Sequence, residues 1–285
     1  MSNSNLAAAR RWFAEELRYV SRVRSPSVIK AFASVAREHF AGAGPWRLLS
    51  PMARSEYWTT DDANPSHLYH DVLIAIDESR RLNNGQPSLW AFVYDQLDLK
   101  PGEHVVHIGI GTGYYTAILA DIVGHEGHVT AVEIDAEIAG RARANLASSA
   151  PNVTVVVADG FTFRPERSAD VIVVNAGVTH LSLTWLDALA EHNSRLLVPL
   201  TDANWWGAFV LIERHNGHYA ARNIGRVGII ECVGGRDSVA EARLTKALRE
   251  SQFSPPVKSL RRPPEQPDET CWLAGDGWWL STAEP

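Results

Sequence analysis

The sequence predicts an α/β fold, a doubly wound and mostly parallel sheet with an N-terminal helical cap and a C-terminal extension. Three observations predict it. From His104 onward, short β-branched runs alternate with helical segments: VVHIGI, YYTAILADIV, HVTAVEI, AEIAGRARANLA, VTVVVAD and DVIVVNAG. The strand runs are apolar almost throughout, which suits strands covered on both faces, as in parallel sheets joined by crossover helices. The chain has 285 residues, of which 45% are hydrophobic and 21% charged, enough for a sizeable core.

The other elements follow in order. From Leu6 to Val23 the apolar residues Leu6, Trp12, Phe13, Leu17, Val20 and Val23 recur at helical spacing, with Arg and Glu between them, and read as an amphipathic helix. Ser25-Pro26 opens a second helical stretch over Val28 to Phe40, ending near the glycines of AGAG. Residues 41–68 read as irregular. Beyond the alternating region, RLLVPL reads as a strand and AFVLIERHNGHYAARNI as a hairpin. Its turn falls at Asn216-Gly217, because both residue types accept the positive φ of a two-residue hairpin turn. SVAEARLTKALRE is helical, and Pro255, Pro256, Pro263, Pro264 and Pro267 mark a connector. CWLAGDGWWLS then reads as a hairpin turning at Gly275-Asp276-Gly277. The chain divides into residues 1–100 as a cap and substrate-side segment, 101–237 as the core and 238–285 as an extension.

Composition narrows the classes of function. Lys+Arg number 27 against 33 Asp+Glu, a net charge of -6, and basic residues form no long run of the kind that tracks phosphates, so nucleic acid is not expected as a partner. No segment is apolar for long enough to span a bilayer and the N-terminus has no apolar signal stretch, so no membrane partner is expected. The two cysteines, Cys232 and Cys271, lack metal-type spacing and suit a reducing compartment, which gives a cytoplasmic expectation. Metal is not expected either. His104 and His107, three apart in a strand, point to opposite faces and cannot chelate one ion. His125 and His128 read as solvated in a Gly-rich connection. Trp205-Trp206 and Trp278-Trp279 read as core or edge cover rather than as stacking platforms.

The chemistry is carried by His107-Ile108-Gly109-Ile110-Gly111-Thr112-Gly113-Tyr114, where an apolar strand gives way to a helix. Glycines there allow a tight turn and close approach of a ligand to the main chain, and the helix start offers free N–H donors. Glu133 ends the next strand and Asp159-Gly160 the one after. An acid at the tip of the second strand can accept both ribose hydroxyls of a nucleoside lying across the loop. A dinucleotide site would favour G-x-G-x-x-G, but counting from Gly109 puts Tyr114 at the last position and counting from Gly111 puts Thr116 there. The spacing Gly109-x-Gly111-x-Gly113 is instead similar to that of class I S-adenosylmethionine-dependent methyltransferases.

The chain resembles the protein-L-isoaspartate O-methyltransferase family from about Val28 to Asp237. The resemblance rests on SVIKAFASVAREHF, GQPSLWAFVYDQLDLKPGEHVVHIGIGTGYYTAILADIVG, VEID, VVADG, ADVIVVNAG, RLLVPL and GIIECVGGRD. It implies a Rossmann-like methyltransferase core at 101–237 that binds S-adenosyl-L-methionine. Gly109, Gly111 and Gly113 would line the cofactor, Glu133 would hold the ribose, and Asp159 with Gly160 would sit near the adenine. His107 stands where the family usually has an acid that meets the cofactor's amino group.

On the acceptor side the family carries Thr-Ile-Ser, with the serine close to the acceptor carboxylate. Aligned on Gln86-Pro87, this chain reads Asn83-Asn84-Gly85, so the serine position is Gly85. Acceptor-side candidates are Tyr69, Asn83, Asn84 and His180; the first three precede the core, and His180 follows the fourth core strand. The expected activity is O-methylation of a carboxylate on a specific peptide or protein. The alternatives are a small-molecule O-methyltransferase and a non-catalytic cofactor-binding protein. Catalytic residues and oligomeric state are left open.

Overall fold

The computed structural model describes residues 3–52 and 56–285. Two compact units divide the chain, and neither is a single stretch of sequence. The first takes residues up to 102 with 110–129 and 135–155; the second takes 103–109, 130–134 and 156–285.

In the first unit, helix α1 (Asn3–Val20) buries Phe13, Ala14 and Leu17, and the chain leaves it through Arg22 at φ 52°. Helix α2 (Pro26–Ser34) is capped by the Ser25 hydroxyl and starts on Pro26, whose missing N–H costs nothing at a helix start. The single helix expected over Val28 to Phe40 is in fact two pieces. Val35 and Ala36 are extended, and a 3-10 turn, Arg37–Phe40, follows. The break has a physical reason: it turns Arg37 inward, where its fully buried guanidinium donates to the carbonyls of Leu68 (2.6 Å), His70 (2.9 Å) and Val72 (2.6 Å). Three carbonyl partners offset the cost of burying that charge.

The stretch 41–68, expected to be irregular, carries two strands, β1 (Arg47–Leu49) and β2 (Trp58–Thr59); with β3 (Leu73–Asp77) and β4 (Leu82–Asn83) beyond it they form an antiparallel sheet in the order β2-β1-β3-β4. Strands this short show no readable alternation, and a small core of Trp46, Leu48, Leu68 and Ile74 holds them. Residues 53–55 of that stretch lie outside the described residues. Helices α3 (Pro87–Leu97), α4 (Tyr114–Val123) and α5 (Ala136–Leu146) complete the unit.

The second unit holds most of the large sheet, residues 128–129 and 153–155 being counted with the first. The strands of this sheet are β5 (His104–Ile108), β6 (His128–Glu133), β7 (Val153–Val157), β8 (Val171–Val174), β9 (Ser194–Thr201), β10 (Trp206–His215), β11 (His218–Gly228), β12 (Ser259–Arg261), β13 (Cys271–Gly275) and β14 (Trp278–Ser281). They are ordered β13-β14-β12-β11-β10-β9-β8-β5-β6-β7. β5, β8 and β9 pair in parallel, as the alternating sequence requires, and from β9 outward to β13 the pairing is antiparallel. The hairpin turn between β10 and β11 has Asn216 at φ 50° and Gly217 at φ 86°, as its sequence predicts. Helices α6 (Leu183–Ala188) and α7 (Ser238–Glu250) belong to the same unit. The C-terminal extension does not form a core of its own. Leu244, Leu248, Leu260, Trp278 and Leu280 join Val106, Ile172, Val198 and Val210 in one buried cluster. Trp279 is buried too, so the terminal tryptophans fill the interior. Among the described residues no helix is long and apolar enough to cross a membrane, and no group of side chains has the makings of a metal site.

Candidate functional site

Adjacent strands β5, β6 and β7 end beside one another, and their carboxyl ends carry the sequence-predicted acids and the first loop glycine. That edge is where open α/β sheets bind ligands. Gly109 follows β5 at φ 76°. Its N–H donates to the Val132 carbonyl (2.9 Å), and the Asn175 side chain donates to its carbonyl (3.0 Å). A Cβ there would lie 3.1 Å from the Asn175 carbonyl oxygen, so both conformation and space ask for glycine. Glu133 ends β6 nearly buried; its Oε1 accepts the Ile134 N–H (3.0 Å), and its own carbonyl accepts the Ala158 N–H (3.1 Å). Asp159 follows β7 and turns its Oδ1 onto the Phe161 N–H (2.9 Å). Gly160 lies flat on Ile108, where a Cβ would come within 2.3 Å of Cγ2, and its carbonyl accepts the buried Trp185 indole N–H (2.8 Å).

His107 lies within β5, fully buried, and burial pushes its pKa down to about 3, so the imidazole is neutral at any physiological pH. His104 is a structural residue: its ring contacts the Ser168 carbonyl (2.9 Å) and the Thr130 hydroxyl (2.9 Å). His125 is exposed and His128 half-buried.

Gly111 and Gly113 belong to the first unit. A Cβ on Gly111 would sit 3.1 Å from Ile76 Cδ1, and one on Gly113 would sit 3.0 Å from Leu146 Cδ1. Ile76 is on β3, so the β3–β4 hairpin packs directly on this part of the loop. Two further contacts fix the hairpin there. Arg80 pairs with Asp135, the N-cap of α5, at 2.7 Å, and the Tyr115 hydroxyl, on the first turn of α4, donates to the Gly85 carbonyl at 3.0 Å.

The acceptor-side segment 83–85 is therefore held beside the second half of the glycine loop. Its side chains are largely engaged in holding its own shape. Asn83 Oδ1 accepts the Gly85 N–H (2.9 Å), and Asn84 Oδ1 accepts the Ile74 N–H (2.9 Å) while its backbone N–H returns to the Ile74 carbonyl (3.0 Å). Asp71 fixes the next turn, accepting from Gln86 Nε2 (2.9 Å), the Ser88 N–H (2.8 Å) and the Ser88 hydroxyl (2.7 Å). Gly85 itself has φ 80°, and a Cβ on it would lie 2.7 Å from Trp90 Nε1 and 3.2 Å from Tyr115 Cε2.

The remaining candidates, Tyr69 and His180, have structural partners of their own. The Tyr69 hydroxyl accepts from Arg10 Nε (2.9 Å) and the Arg37 N–H (3.2 Å) and donates to Glu38; burial and the Glu38 carboxylate push its pKa up. It braces α1 against the 3-10 turn. His180 is in the second unit, its ring edge-on to Phe161 at 4.9 Å and its Nδ1 at 3.0 Å from the Thr179 hydroxyl, with burial holding its pKa below the usual imidazole value. Sequence reasoning missed Ile76, Trp90 and Tyr115, because nothing in their spacing announces that they meet at the loop and at Gly85.

A family model described as protein-L-isoaspartate(D-aspartate) O-methyltransferase matches residues 46–237 of this chain. The chain belongs to that family. The protein-L-isoaspartate O-methyltransferase of Methanothermobacter thermautotrophicus is 32% identical over 191 residues, covering 66% of this chain and 86% of the relative. That of Hyperthermus butylicus is 29% identical, covering 79% and 89%. Among solved structures, a protein-L-isoaspartate O-methyltransferase superposes with a TM-score of 0.63 at 23% identity over 94% of this chain and 87% of its own. A putative protein-L-isoaspartate O-methyltransferase from Plasmodium falciparum, in complex with S-adenosyl-L-homocysteine, gives 0.62 at 18% identity over 78% and 97%. These likenesses confirm the class I methyltransferase fold, and family membership makes the chain an S-adenosylmethionine-dependent methyltransferase.

The residues at the strand ends fit such a cofactor. Gly109 brings a backbone without a side chain of its own to the end of β5, and Glu133 is a nearly buried acid at the tip of the second strand.

Proposed function

We propose that this methyltransferase methylates a carboxylate on a restricted peptide or protein acceptor, rather than acting as a general isoaspartate methyltransferase like the relatives whose names carry that activity. In this reading Gly109, Gly111 and Gly113 line the cofactor, Glu133 accepts the ribose hydroxyls, and Asp159 with Gly160 faces the adenine. His107 offers the amino-group end of the cofactor no charge. When bound, S-adenosylmethionine supplies an electrophilic methyl group. The chain's own part is to hold the acceptor in line and to exclude water. A carboxylate has a pKa of about 4 and is ionised near neutrality, so no general base is needed, consistent with the absence of an evident catalytic dyad in the sequence.

The observation that carries the restricted-acceptor reading is the crowding behind Gly85. A serine at this position would need a positive φ and would drive its Cβ to 2.7 Å from Trp90 Nε1. This crowding supports an acceptor segment whose shape depends on glycine at this position. The unpaired Cys232 and Cys271 support a reducing, cytoplasmic setting. The test is incubation with methyl-labelled S-adenosylmethionine and carboxylate-bearing peptides, followed by base treatment. Formation of a base-labile methyl ester supports the reading, and label confined to base-stable products overturns it.

A further inference from the structure

The segment Glu231–Asp237 lies outside the elements that the glycine loop and its acids define, yet it closes against one of them. Its course is fixed by backbone pairing. The Cys232 N–H donates to the Gly177 carbonyl (2.8 Å), the Gly177 N–H to the Ile230 carbonyl (2.7 Å) and the Thr179 N–H to the Gly235 carbonyl (3.0 Å). Two glycines then meet the loop that follows β7. A Cβ on Gly235 would lie 2.5 Å from Val178 Cγ1 and 3.0 Å from Phe161 Cδ2. A Cβ on Gly234 would lie 2.5 Å from both carboxylate oxygens of Asp159 and 2.8 Å from its Cγ. Gly234 does not have a positive φ, so space and not conformation demands glycine there.

We infer that Gly234 is a positioning residue for nucleoside recognition: its bare backbone covers the Asp159 carboxylate and sets the direction in which Asp159 meets the base of the cofactor. The inference rests on the reading of Asp159 as the adenine-side residue. The Asp159 carboxylate is held from three directions. The Phe161 N–H fixes Oδ1 along the chain, the Thr162 hydroxyl donates to Oδ2 (3.3 Å), and Gly234 closes the side from which a methyl group would displace both oxygens at once. Cys232, buried beneath the same turn, has its thiol pKa pushed up to about 11 by burial and by the Asp159 charge, so the turn presents Asp159 with no second anion. An adenine 6-amino group donates to a carboxylate, whereas the 6-oxo group of an inosine does not, so a correctly aimed Asp159 discriminates between them.

The experiment measures binding of S-adenosylhomocysteine and S-inosylhomocysteine by calorimetry to the full chain and to Gly234→Ala, Asp159→Ala and the double variant. Wild type should prefer the adenosyl ligand at least tenfold. Gly234→Ala should lose most of that preference, Asp159→Ala should lose it equally, and the double variant should match Asp159→Ala, because removing the carboxylate removes the clash. Thermal unfolding of the same four proteins covers the case of a poorly folded single variant: Gly234→Ala should lower Tm and the added Asp159→Ala should recover it. A Gly234→Ala protein that weakens both ligands equally, or a double variant no more stable than Gly234→Ala, overturns the inference. Failure of wild type to bind S-adenosylhomocysteine would instead overturn the reading on which it rests.

Discussion

Replacing Gly85 with serine introduces the residue that the family resemblance leads one to expect there, and the structure says that the protein will resist it. Gly85 has φ 80°, a conformation that costs a residue with a side chain roughly 1 kcal/mol relative to glycine. The new Cβ would also lie 2.7 Å from Trp90 Nε1 and 3.1 Å from its Cδ1. Trp90 is buried and packed at 5.6 Å and 5.8 Å, centroid to centroid, against Tyr115 and Tyr94, so it cannot swing away freely. Overpacking of that kind costs about 1–3 kcal/mol. Gly85→Ser should therefore be destabilised by about 2–4 kcal/mol, and Gly85→Ala by nearly as much, since the clash lies at Cβ and not at the hydroxyl. Urea unfolding midpoints of the three proteins give the stability difference, and methyl transfer to isoaspartyl peptides tells whether the hydroxyl has reached a useful place. Gly85→Ser as stable as wild type, with raised activity on those peptides, would refute the reasoning, because the serine site would then still be open.

Four other perturbations follow from the site and the fold. Glu133→Ala, which removes the ribose acceptor, and Gly111→Val, which forces a side chain into the loop against Ile76, should each weaken S-adenosylhomocysteine binding in calorimetry by at least tenfold; undiminished affinity would remove these residues from the donor site. His107 has a folded-state pKa of about 3 against about 6.5 unfolded, so between those values the unfolded chain binds a proton that the folded chain refuses. Its contribution makes stability fall as pH drops from about 6.5 toward 3, by up to about 1.4 kcal/mol per pH unit, and His107→Asn should show a shallower loss than wild type in unfolding measured at pH 7 and pH 4.5. Ending the chain at Asp237 should give an insoluble or unfolded product by circular dichroism. The truncation would strip β12 from the β11 edge and remove Leu244, Leu260, Trp278 and Leu280 from the core.

The glycine loop, Glu133 and Asp159-Gly160 were legible in the sequence because each sits at the end of its own strand, so the strand pattern alone places them. The same holds for the Asn216-Gly217 turn and for α7, which are decided by residues close together in the chain. The N-terminal third was less legible. The break at Val35-Ala36 exists to serve Arg37, whose three carbonyl partners lie more than thirty residues onward, and no local pattern announces it. The β1–β4 sheet is made of strands of two to five residues stabilised by long-range pairing. Acceptor-side candidates could be located by alignment on Gln86-Pro87, but their uses could not. That Asn83 and Asn84 spend their side-chain oxygens on Gly85 and Ile74 depends on the turn they build, and that Gly85 is required depends on Trp90 and Tyr115.

The central claim, an S-adenosylmethionine-dependent carboxyl methyltransferase with a restricted acceptor, is tested most directly by following methyl incorporation into isoaspartyl peptides of varied flanking sequence. The crowded glycine at position 85 predicts base-labile methylation confined to one class of flanking sequence. Efficient methylation across the whole panel would contradict it.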